Sequence, residues 1–95
     1  MVMTYADLQQ ALLIFGLGER ATLKDIKSRY RNLAKRYHPD TSTSEEADAM
    51  RKVNAAYRII QAYIAEYRFS FAEDEFYEQN PEERLYKQFE GFMWW

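Results

Sequence analysis

Residues 22–40 read TLKDIKSRYRNLAKRYHPD, and this stretch decides the fold. Leu23, Ile26, Tyr30, Leu33, Ala34 and Tyr37 recur at helical spacing until Pro39 stops the run. Thr22-Leu23-Lys24-Asp25 resembles a capping box with Asp in the acidic position, so the helix should start there. The spacing predicts a helix over about 22–37. Its charge is unusual. Between Thr22 and Tyr37 stand six basic residues and one acid, Asp25. Lys24, Lys27, Arg31 and Lys35 step by 3, 4 and 4, which makes one stripe beside the apolar one, while Arg29 and Arg36 fall on the other flank. An ordinary solvated face mixes signs. A nearly single-sign stripe points to an anionic partner surface, either nucleic acid or an acidic protein patch.

Working outward, Met50, Val53, Tyr57, Ile60 and Ile64 form a second long stripe, and a helix is expected over about 44–67. Its cap is Ser42 with Glu45, or the frame one residue later. The polar connection from His38 to about Ser44 is short enough to fold the two helices into an antiparallel hairpin. On the N-terminal side Thr4 and Asp7 form another capping pair. Tyr5, Leu8, Leu12 and Phe15 follow at helical spacing, and Gly16 and Gly18 end that segment. On the C-terminal side Asn80-Pro81-Glu82-Glu83 starts a helix carrying Leu85, Tyr86, Phe89 and Phe92. Alternation with period 2 appears only at Arg68–Ala72, too briefly for a sheet. The chain is therefore read as all-α.

The 95 residues suit one small domain. With no cysteine and a single histidine, disulfides, thiol catalysis and zinc knuckles are excluded. The opening MVMTYADLQQ shows no basic segment leading into an apolar run, and no apolar run approaches the roughly 20 residues that cross a bilayer. A cytoplasmic location without membrane association is expected. Charge is unevenly spread: residues 1–68 carry +3 and residues 69–95 carry −5. The expected organisation is a basic domain over 1–68 and an acidic, aromatic extension over 69–95.

His38-Pro39-Asp40 lies just past the basic helix. Fold physics alone accounts for it as a helix stop, since proline cannot continue a helix, Asp favours turns and His suits a helix C-terminus. A catalytic role lacks a nucleophile placed by spacing, and a metal site needs more ligands. No enzyme activity, cofactor or metal is expected.

Residues 21–40, together with Met50–Ile60 and its Asn54-Ala55-Ala56-Tyr57 core, resemble the J-domain (DnaJ-like) co-chaperone family. Leu17-Gly18 before the basic helix also fits, and the likeness runs over about residues 4–64. The resemblance implies docking on the ATPase domain and interdomain linker of a DnaK-type heat-shock chaperone, and stimulation of that partner's ATP hydrolysis. By position it makes His38, Pro39 and Asp40 the trigger. Tyr30, Lys27, Arg31, Lys35 and Arg36 become docking candidates, although Tyr30 also belongs to the apolar stripe and suits core packing. The domain itself would hydrolyse nothing. Asn54 and Tyr57 are read as packing and structural hydrogen-bonding residues.

Departures are visible. Arg29 stands where the family often has a small residue, Asn32 where it often has a basic one, and the family's short basic fourth helix is replaced by what looks like a continuation of the third over Gln61–Arg68. A minimal J protein is expected. Two rival readings use the same residues: a nucleic-acid-binding helical module, disfavoured by the net negative charge, and a J-like scaffold that binds without activating. The helix at 81–92 is expected to pack back on the helical hairpin. Its alternative use is as a docking segment for a client or regulator, or as an acidic shield over the basic helix.

Overall fold

The computed structural model describes residues 3–37 and 43–93. They form five helices, α1 (Tyr5–Phe15), α2 (Leu23–Arg36), α3 (Ser44–Ala65), α4 (Glu73–Gln79) and α5 (Pro81–Met93), and no strand occurs among the described residues. The all-α reading and the hairpin of α2 with α3 stand.

Three of the helices start on reciprocal caps. The Asp7 N–H donates to Thr4 Oγ1 and the Thr4 N–H to Asp7 Oδ2, both at 3.1 Å. Thr22 and Asp25 repeat this at 3.0 and 3.1 Å. In α3 the working frame is the later one, Thr43 with Glu46. Such a box satisfies two otherwise orphaned N–H groups. α1 ends on Gly16, whose φ of 66° lies in the left-handed region, with its N–H reaching back to Leu12 and Leu13. A side chain at that φ is strained, which is why glycine stands there.

The core is small and built from three helices. Ala11 and Phe15 of α1, Ile26 of α2, and Val53, Ala56 and Ile60 of α3 are buried. Leu12, Ile14, Leu33, Tyr37 and Met50 close over them as half-buried neighbours. The buried stripe of α1 runs through Ala11 and Phe15, so Tyr5 remains 73% exposed, outside the stripe it was expected to join. Three rings stack across the centre, one from each helix: Tyr30 on Tyr57 at 4.2 Å, Phe15 on Tyr57 at 5.9 Å and Phe15 on Tyr30 at 6.5 Å. Aromatic pairs at such separations add to plain burial.

α3 starts at Ser44 and ends at Ala65 with a turn through Glu66 and Tyr67, in keeping with the expected span of about 44–67, and a separate short helix α4 follows. Three acids in its first turn, Glu73, Asp74 and Glu75, suit the positive end of a helix. The helix predicted over 81–92 does not pack on the hairpin: among the described residues α5 meets α4, and neither packs on α1–α3. Asn80 closes α4, its backbone N–H and its side-chain amide both donating to Phe76 O at 2.9 Å, which sets the bend into α5. The radius of gyration is 19.2 Å, against roughly 12 Å for a compact chain of this length. The α1–α3 core is closed by its own side chains, so the extension's aromatics stay outside it.

Candidate docking surface on the second helix

α2 is held by its inner face. Ile26 is buried, and Tyr30, Leu33 and Tyr37 pack half-buried against the core. The Tyr30 hydroxyl donates to Asn54 Oδ1 of α3 at 2.8 Å. This bond and the Tyr57 stack fix both the rotation and the height of α2 against α3. Asn54 and Tyr57 thus do the structural work expected of them. Tyr30, named among docking candidates, has its ring in the seam and its hydroxyl taken.

With that face fixed, Lys24, Lys27, Arg31 and Lys35 are exposed. At about 100° per residue they share an arc of roughly 80°, and at 1.5 Å per residue they span about 16 Å. Among the described residues no acid lies within ion-pair distance of any of the four. Three neighbouring pairs, Lys24–Lys27, Lys27–Arg31 and Arg31–Lys35, are like-charged at i,i+3 or i,i+4 spacing, each costing an isolated helix about 0.2–0.5 kcal/mol. The stripe therefore works slightly against the helix that carries it. Arg36 does not join the stripe. It lies on the other flank with its guanidinium 6.0 Å from the Tyr37 ring centre.

The one acid of α2 is occupied locally. The Thr22 backbone N–H, then the Thr22 hydroxyl, hold the Asp25 carboxyl below its ordinary value, with Lys24 and Arg29 adding in the same direction. Asp25 thus serves the cap and lies off the arc of the stripe.

The structure thus brings Lys27, Arg31 and Lys35 onto one surface, adds Lys24, and sets Arg36 and Tyr30 apart from it. His38, Pro39 and Asp40 lie outside the described residues. Among the described residues no group of acids and histidine is arranged to hold a metal ion, and no helix is long and apolar enough to cross a membrane.

The DnaJ domain family model matches residues 13–64, more than half of the chain. Chaperone protein DnaJ of Mycoplasmopsis pulmonis is 46% identical over 48 residues, which is 50% of this chain and 13% of that protein. A DnaJ-like protein of Mycoplasma pneumoniae is 44% identical over 64 residues, 61% of this chain and 20% of that protein. Chaperone protein DnaJ of Hydrogenobacter thermophilus is 46% identical over 48 residues, 50% of this chain and 14% of that protein. The matches thus span a fifth or less of these relatives' length. No solved structure gives a significant match.

Proposed function

The chain belongs to the DnaJ-domain family, and on that premise we propose that it is a co-chaperone that docks on a DnaK-type heat-shock chaperone and stimulates its ATP hydrolysis. The observation that carries this reading is the exposed basic stripe of α2, which runs toward residues 38–40 and is disfavoured by the helix's own electrostatics. Lys27, Arg31 and Lys35, with Lys24, meet an acidic patch on the partner's ATPase domain. Arg36 contacts from the flank. Exposed charges of this kind chiefly speed and orient encounter, and their effect falls with salt.

His38, Pro39 and Asp40 act after docking, at the ATPase domain and linker. A proline ring restricts its backbone in any context, so the tripeptide is presented at reduced entropic cost. Stimulation requires contacts that favour the partner's hydrolysis-competent arrangement over its resting one, since equal affinity for both shifts nothing. Catalysis belongs wholly to the partner. The cytosol is the proposed location. Tyr30 acts as a strut, holding α2 so that the stripe faces outward.

Single-turnover ATP hydrolysis by a DnaK-type chaperone tests this. The folded wild-type chain should accelerate it, and His38→Gln should abolish the acceleration while binding through α2 persists. No acceleration by wild type at saturating concentration would refute the proposal.

A further inference from the structure

The α4–α5 hairpin is built with its polar side in. Arg84, Lys87 and Gln88 face α4. Lys87 pairs with Glu73 and lies 5.1 Å from the Tyr77 ring centre, and Arg84 pairs with Glu78 at 3.5 Å. The Glu73 carboxylate, by accepting a hydrogen bond and by its charge, raises the Lys87 ammonium above its ordinary range. Leu85, Tyr86 and Phe89 occupy the reverse of α5 and are 57%, 67% and 58% exposed. A helix of a folded domain ordinarily turns its apolar stripe inward. Here the stripe faces water over a little more than one turn, from Leu85 to Phe89, while charged groups hold the hairpin together.

The border of that stripe is acidic. Glu82 falls within its arc, and Glu83 and Glu90 lie along one edge at about 100° per residue. Both cations of α5 are engaged by α4 on the far side. A second copy laid along the stripe would set its own acids against these, which disfavours self-pairing. The basic α2 of the same fold is no match either, because Ile26, Tyr30 and Leu33 are turned into the core and only Leu23 at its first turn is exposed, too little for an apolar stripe. The surface fits an occupant with an apolar stripe and basic borders.

We propose that α5 is the docking helix for a cationic amphipathic helix of a partner protein, with Leu85, Tyr86 and Phe89 as apolar anchors and Glu82, Glu83 and Glu90 setting the charge. This surface lies outside α2 and residues 38–40, so it stands or falls apart from the proposed chaperone stimulation. Central apolar groups dominate such interfaces, and surrounding charges tune rate and specificity.

The test uses the full chain and three synthetic helical probes: a Lys/Leu amphipathic peptide, a Glu/Leu peptide of the same pattern, and a Lys/Ser peptide of the same charge. The Lys/Leu probe should bind. Leu85→Ser with Phe89→Ser should weaken it by about tenfold or more. The charge-only variant Glu82→Gln, Glu83→Gln, Glu90→Gln keeps the apolar anchors, and should weaken binding and flatten its salt dependence. Equal binding of the Lys/Ser probe would reduce the site to bulk charge, and equal binding of the Glu/Leu probe would remove the acidic border from it. Either result overturns the proposal. So does a dimer in sedimentation that dissociates on Leu85→Ser with Phe89→Ser, which would make a second copy the occupant.

Discussion

Tyr30 of α2 and Asn54 of α3 are joined by a 2.8 Å hydrogen bond in which the phenol donates and the amide oxygen accepts. It is the one side-chain hydrogen bond between α2 and α3 among the described residues, and it sits beside the Tyr30–Tyr57 stack. Tyr30→Phe keeps the ring and removes the donor. We expect a loss of about 0.5–1.5 kcal/mol in urea unfolding, with chaperone stimulation retained once the variant is folded. Stimulation lost out of proportion to stability would mean that the hydroxyl serves the partner directly.

Reversing one charge of the stripe should separate stability from docking. Lys27→Glu replaces a like-charged neighbour of Arg31 with a Glu four residues ahead of it, which favours the helix by about 0.3–0.5 kcal/mol. The thermal midpoint should hold or rise slightly. Apparent affinity for the DnaK-type chaperone should fall by roughly tenfold, and its salt dependence should shrink. A variant both stable and fully active would remove Lys27 from the docking surface.

The α2 cap makes a pH prediction. Hydrogen bonds from Thr22 depress the folded-state pKa of Asp25 below its ordinary 3.8. A depressed acid contributes stability that is fully present above the unfolded value and lost as pH falls through the folded one. Wild type should therefore lose stability below about pH 4 by a step that Asp25→Asn lacks, and Asp25→Asn should be the less stable of the two at pH 7. Thr22→Ala, which removes the hydroxyl partner, should cost about 1 kcal/mol. Guanidinium unfolding from pH 2 to 7 reads both, and an unchanged acid limb in Asp25→Asn would count against the cap as its source.

Removing residues 69–95 should leave α1–α3 intact. Among the described residues, the buried ones all belong to α1–α3, and α5 packs on α4 alone. The unfolding free energy of the 1–68 fragment should match the full chain within about 0.5 kcal/mol, as for changes remote from a core. Stimulation of the chaperone by the fragment should equal that of the full chain. Greater stimulation would show that the acidic extension shields α2.

How far the sequence could be read follows from the reach of each signal. Caps at Thr4, Thr22 and Thr43 and the glycine stop at Gly16 are local, and the structure uses all four. The basic stripe was legible because helical spacing alone places Lys24, Lys27, Arg31 and Lys35 together. The two roles of Tyr30 were both visible, but only the seam with Asn54 shows where its hydroxyl goes. The extension misled. Its aromatics suggested core, yet their number says nothing about which side of α5 meets a neighbour, and Glu73 and Glu78 draw Arg84 and Lys87 inward instead. α4 was missed because seven residues, five of them polar, carry too short a stripe to register a period.

The stacked rings of Phe15, Tyr30 and Tyr57 come one from each of three helices. No pair of helices completes the stack, so the folding transition should engage all three at once, as small domains commonly do. α1 lies outside the basic stripe, yet truncation through Phe15 would remove one ring of the stack and uncover the core face that α2 and α3 share. The smallest unit able to present the stripe is thus set by a shared cooperative transition, and it begins well upstream of the residues that do the presenting.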